Sequence, residues 1–113
     1  MPLELRRVIL FTSNISALAA FYQNVIGLTV AGREAGWVDF NAGACGLALH
    51  TGKPAVGSRP PKMVFYSSNV ALTRSRLIKN GLAKAGPIKS TGNFDMCDCQ
   101  DPDGNHFQIS SRA

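Results

Sequence analysis

Charge is scarce in this chain, and so are cysteine and long apolar runs. Only 17% of the 113 residues are Asp, Glu, Lys or Arg, against 45% apolar. That balance belongs to a packed globule and excludes an intrinsically disordered chain. No uninterrupted apolar run approaches the ~18–20 residues that cross a bilayer as a helix, so no membrane partner is expected. Three cysteines are an odd number and too few for a disulfide framework. The opening Met1-Pro2-Leu3-Glu4-Leu5-Arg6-Arg7 carries an acid and lacks the basic-then-apolar order of a secretion signal. Together these features predict a reducing cytoplasm. Blocks of like charge are missing as well. The formal charge is +5, from 12 Lys+Arg against 7 Asp+Glu, but the bases are scattered from Arg6 to Arg112. With no zinc-finger spacing and no aromatic ribonucleoprotein motif beside them, no nucleic-acid partner is expected. The positive balance is a hint about the sign of a ligand.

What the chain does have is a repeat. Shifted by 55 positions, Arg7-Val-Ile-Leu-Phe-Thr-Ser-Asn-Ile15 lies on Lys62-Met-Val-Phe-Tyr-Ser-Ser-Asn-Val70, identical or chemically similar at every position. Each copy reads as a strand meeting Ser-Asn and then a helical pattern, with Asn14 and Asn69 as N-caps. After Asn14, Leu18, Phe21, Tyr22 and Val25 fall on one helical face, and Gly27 is placed to end that helix. After Asn69 the apolar positions are fewer and Gly81 closes, which makes the second helix the more exposed.

Strand-like segments follow at Leu28–Val30, Trp37–Phe40 and Gly46–His50, divided by Gly32-Arg33-Glu34 and Asn41-Ala42-Gly43. In the second half they are Ala83–Gly86, Phe94–Cys99 and His106–Ser110, the last pair divided by the tight-turn signal Asp101-Pro102-Asp103-Gly104-Asn105. Residues 51–61, rich in Pro and Gly, read as a connector. The expected fold is α+β: two βαβββ modules, about 4–50 and 62–111, forming a single domain over 1–113. Neither half is long enough to bury an adequate core alone.

The opening strand with Ser13-Asn14, the segment Phe21-Tyr22-Gln-Asn-Val-Ile-Gly27-Leu28 and the ending Asp101-Pro-Asp-Gly-Asn105 before a final strand resemble the vicinal-oxygen-chelate superfamily. Its members include glyoxalases, bleomycin-resistance proteins and extradiol-dioxygenase-like proteins. With the repeat, the resemblance covers nearly the whole chain. It implies paired βαβββ modules curling around a cavity, commonly as a homodimer. In metal-using relatives four side chains bind a divalent cation, and the resemblance places those positions at Arg7, Ala48, Lys62 and Gln108. Two are cations, one has no donor, and Gln108 alone can offer a neutral oxygen. Charge repulsion in a low-dielectric site works against a metal there. No cofactor is therefore expected, and a divalent metal enters only through other ligands, such as His50, His106 and Asp98.

Arg7 and Lys62 occupy matching places in the repeat. Facing inward, they would suit a carboxylate, phosphate or enolate-like ligand. Placed at strand ends, they would snorkel into water. Gln108 can add a hydrogen bond, and His106 shares its face; His50 shares a face with Ala48, and either histidine can instead end in solvent. Trp37 and Tyr66 are ligand-stacking candidates, with plain core as the alternative. Cys97 and Cys99, on one strand face, read as small core residues, with an exposed and reactive Cys99, beside Gln100-Asp101, as the alternative. Asp101–Asn105 lacks the positions of a calcium loop and is a turn. The function expected is binding of an anionic or polar small molecule without metal. The competing expectations are a lyase, isomerase or epimerase-like enzyme that uses Arg7 as an electrostatic clamp and a histidine as general base, and a dioxygenase or glyoxalase with those shifted metal ligands.

Overall fold

Strand, helix and three further strands repeat twice along the chain. The computed structural model describes residues 2–113, which divide into two compact units between Ala55 and Val56. Unit one contains β1 (Arg7–Thr12), α1 (Ile15–Ala20), β2 (Thr29–Glu34), β3 (Trp37–Asn41) and β4 (Gly46–Thr51). Unit two contains β5 (Met63–Tyr66), α2 (Val70–Asn80), β6 (Lys84–Ser90), β7 (Asp95–Gln100) and β8 (His106–Ser110). The sheets are ordered β1-β4-β3-β2 and β5-β8-β7-β6. In each, the first strand runs parallel to the last and the other neighbours are antiparallel. This is the α+β arrangement of two βαβββ modules read from the repeat.

Both helices start where the capping side chains place them. The Asn14 carboxamide oxygen accepts from the Ala17 amide and that of Asn69 from the Leu72 amide, each at 3.1 Å. Those contacts satisfy amides that have no partner within the helix. The first helix departs from the expected single α-helix: from Phe21 to Ile26 it winds as a π-helix. The Tyr22 carbonyl accepts from both Gly27 and Leu28, at 3.1 and 2.9 Å. The wider turn keeps the adjacent rings of Phe21 and Tyr22 both buried, edge to face at 5.1 Å between centroids. Gly27 then stops it at φ +92°, a conformation a side chain would strain.

Two strands run longer than their composition suggests. Gly32-Arg33-Glu34, expected as a turn, lies inside β2, and a bulge between Val30 and Gly32 absorbs the irregularity. The turn itself is Ala35-Gly36. Likewise β6 continues past Gly86 to Ser90, with a shift in register between Ala85 and Ile88. Pro87 is tolerated because β6 is an outer strand with one unpaired edge.

Each sheet buries one face under its helix. In unit one Val38, Phe40, Leu47 and Leu49 pack with Leu18, Phe21 and Tyr22. In unit two Cys97, Cys99, Phe107 and Ile109 pack with Val70 and Leu77. Burying a side chain of that size contributes about 1.5–3 kcal/mol, enough to hold each helix on its sheet. Asp101 closes the last turn, its carboxylate accepting from the Asp103 amide, the Asn105 amide and the Asn105 side chain at 2.8–2.9 Å. It is a turn, as its sequence indicates.

Candidate functional site

The strand alternation that buries one face of each sheet turns another set of side chains to the opposite, open face. On the open face of unit one, Phe11, His50, Trp37 and Glu34 stand opposite one another across β1, β4, β3 and β2. A second row is Ile9, Ala48 and Asp39, and a third is Arg7, Gly46 and Asn41. Arg7 crosses β4, where Gly46 and Ala48 leave room, and brings Nη2 to 3.7 Å from Asp39 Oδ2. Its Cζ lies 5.9 Å from the Trp37 ring centroid. The approach to Asp39 is a charge contact too long for a hydrogen bond, so the guanidinium keeps donors for a ligand. A hollow of about 180 Å³ opens beside the pair, lined by Arg6, Arg7, Asp39, Asn41, Gly43 and Gly46 among others.

His50 stands between two aromatic rings. Phe11 meets it edge-on at 5.6 Å between centroids and Trp37 at 5.9 Å. Its Nδ1 lies 2.9 Å from the Thr51 carbonyl oxygen. Phe11 is 51% exposed and Ile9, in the second row, 43%, so this face presents aromatic and aliphatic surface together with ring nitrogens and charge.

Unit two repeats the plan with different chemistry. Tyr66, Ser110, Met96 and Lys89 form one row and Val64, Gln108 and Asp98 the next. Asp98 Oδ1 accepts from Lys62 Nζ and from Gln108 Nε2, both at 3.0 Å, and Lys89 Nζ lies 3.9 Å from Oδ2. The Gln108 hydrogen bond, followed by the Lys62 hydrogen bond and the charges of Lys62 and Lys89, holds the Asp98 carboxyl below its ordinary 3.8 despite some desolvation. Tyr66 is 64% exposed, and His106 is half-buried opposite Gln100.

The structure thus groups Arg7, Trp37 and His50 on one open face, and Lys62, Gln108 and Asp98 in one hydrogen-bonded cluster. Each of the two matching cations has an aspartate from the third strand of its own module. Asp39 and Phe11 escaped the reading of the sequence, although Arg7-x-Ile9-x-Phe11 and Trp37-x-Asp39 carry the period of two that marks one strand face. At the positions that the resemblance assigns to metal ligands, a guanidinium, a methyl, an ammonium and a carboxamide do not form a donor set for a divalent cation. Among the described residues no three His, Cys, Asp or Glu come together as a metal site. Cys99 is buried, with Sγ 3.7 Å from Cys97 Sγ. Desolvation, reinforced by Cys97, pushes its thiol up to about 12. The reading of Cys97 and Cys99 as small core residues holds, and the alternative of an exposed, reactive Cys99 does not, because its side chain points to the helix-covered face of the sheet.

The family model of the Glyoxalase/Bleomycin resistance protein/Dioxygenase superfamily matches residues 4–109. Among solved structures, a glyoxalase/bleomycin resistance protein/dioxygenase from Nocardioides is similar at 21% identity and TM-score 0.76, over 97% of this chain and 83% of that one. A lactoylglutathione lyase from Agrobacterium tumefaciens is similar at 21% identity and TM-score 0.76, over 97% and 94% of the two chains. An antibiotic binding protein from a Streptomyces species is similar at 19% identity and TM-score 0.78, over 96% and 94%. Among curated proteins none matches. At these identities the structural likeness speaks for the fold.

Proposed function

Because the chain belongs to the glyoxalase/bleomycin resistance protein/dioxygenase superfamily, we propose that it is a small-molecule binding protein that works without a metal and seats a planar, polar ligand on the open face of unit one. The observation that carries this reading is the Phe11–His50–Trp37 row beside the Arg7–Asp39 pair. The exposed Phe11 ring and the half-buried Trp37 ring offer stacking, and Arg7 offers directed donors. Asp39 balances the Arg7 charge, which favours a polar ligand over a strongly anionic one. An antibiotic binding protein among the structural neighbours supports binding as a use of this fold. The donor set at Arg7, Ala48, Lys62 and Gln108 supports the metal-free part.

Trp37 is the single tryptophan of the chain, so its emission reports on the site directly. A panel of planar carboxylates, phosphates and neutral heteroaromatics is expected to contain compounds that both raise the melting temperature and shift Trp37 fluorescence. Arg7→Ala should weaken those compounds about tenfold or more, the worth of a hydrogen bond to a charged group. Stabilising compounds that leave Trp37 emission unchanged, or that ignore Arg7→Ala, would refute the placement. Stoichiometric zinc, nickel, iron or manganese in protein purified without a histidine tag would refute the metal-free part.

A further inference from the structure

The contact between His50 Nδ1 and the Thr51 carbonyl fixes more than a ring orientation. A carbonyl oxygen can only accept, so the 2.9 Å contact is a hydrogen bond in the tautomer that carries the proton on Nδ1, and it favours that tautomer. In the neutral ring the lone pair then resides on Nε2. No described residue hydrogen-bonds Nε2, and His50 is exposed. The ring is held on both sides, by Phe11 at 69° and Trp37 at 76° between planes.

We infer that His50 determines specificity on this face: Nε2 accepts a hydrogen bond from a ring N–H or phenolic O–H of a planar ligand that packs against Phe11 and Trp37. This inference rests on the reading of that face as the ligand site and names the ligand class. Neither ring beside His50 can accept in that place. Phe11 has no polar atom, and the Trp37 indole nitrogen is a donor only. Arg7, in the third row, offers donors only, while the carboxyl groups of Glu34 and Asp39 stand elsewhere on the face, Glu34 beyond Trp37 on β2 and Asp39 in the second row. A ligand bearing both a donor and an acceptor on one planar ring system would therefore meet Nε2 with the donor and Arg7 with the acceptor. A ligand methylated at the donor would leave the lone pair unpaired, and that penalty falls only on the methylated compound.

The test uses benzimidazole, which has a ring N–H, and 1-methylbenzimidazole, which has none, titrated into the isotope-labelled full chain and followed by amide, Trp37 indole and His50 imidazole nitrogen resonances. At about pH 8, above the range in which imidazoles ordinarily protonate, free protein should show a protonated Nδ1 and an unprotonated Nε2. Benzimidazole should move the Nε2 resonance and bind about tenfold more tightly than its methyl derivative, the worth of one net hydrogen bond. His50→Phe, which keeps a ring in the row, should bind both compounds equally. A proton on Nε2 in the free protein, equal binding of the two probes by the unaltered chain, or discrimination that survives His50→Phe would each overturn the role of His50 while leaving the ligand face standing. Should neither probe move the Trp37 indole resonance, the ligand face itself fails, and this inference with it. The nitrogen resonances of the unaltered protein decide the tautomer even where the variant does not fold.

Discussion

Asp98 gathers Lys62, Gln108 and Lys89 onto one carboxylate, and that convergence ties a single residue to the acid stability of unit two. Its carboxyl titrates below 3.8 in the folded chain, so the fold favours the ionised form. The stabilisation is present at neutral pH and is lost as the pH falls from about 4 through the lower folded value. Because the side chain is 38% exposed, the contribution is at most about 1 kcal/mol. Urea midpoints measured between about pH 5 and pH 3 should therefore fall more steeply for the native sequence than for Asp98→Asn; parallel profiles would show that the carboxylate adds nothing. The same convergence explains a gap in what the sequence conveyed. The resemblance implied that Lys62 and Gln108 belong to one site, but two residues 46 positions apart become neighbours only through register. Register is a property of the sheet, and no local pattern announces that an aspartate from β7 will stand between them.

At the level of elements, boundaries that depend on one capping side chain or one turn glycine were legible, and those that depend on packing were not. Asn14, Asn69 and Gly27 mark helix ends by their own chemistry. The π-helical turn at Phe21–Ile26 answers to the burial of two consecutive aromatic rings, a tertiary demand that overrides the spacing expected of an α-helix. The bulged strands β2 and β6 hid behind Gly and Pro, which read locally as breakers. In β6 the glycine has a specific use. A Cβ built on Gly86 would lie 2.9 Å from the Asp98 carbonyl oxygen, while the Gly86 carbonyl accepts from Arg74 Nε at 2.9 Å and Cys97 Sγ at 3.2 Å. The backbone there is held from the helix and from β7 at once and has little room to yield. Gly86→Ala should destabilise by about 1–3 kcal/mol, the cost of overpacking a tight site. Gly32, within the bulge of β2, has nothing within 4 Å of its Cβ position, so Gly32→Ala should leave stability within about 0.5 kcal/mol. Denaturant unfolding of the two variants makes the comparison, and equal effects would contradict the close approach at Gly86.

Over the whole molecule, duplication organises both the fold and the charge. Arg7 with Asp39 and Lys62 with Asp98 occupy equivalent places in their modules, so the net positive balance is not concentrated on the open faces. Positions 40–94 hold eight Lys or Arg and no Asp or Glu, which is where the excess resides. A chain of about 55 residues buries too little surface to offset its conformational entropy. A fragment of residues 1–55 is therefore expected to show no cooperative thermal transition by circular dichroism; a sigmoidal melt would establish that one module is self-sufficient. The two bulges also bear on behaviour in concentrated solution. Each falls on an outer strand of its sheet, at Val30/Gly32 in β2 and at Ala85/Ile88 in β6. In β6 it is joined by Pro87 and flanked by Lys84 and Lys89. A kinked, proline-bearing, cationic border gives an approaching strand no continuous row of amides and carbonyls to extend, so the irregularities that obscured these strands in the sequence also guard two of its four sheet margins against fibrillar self-association.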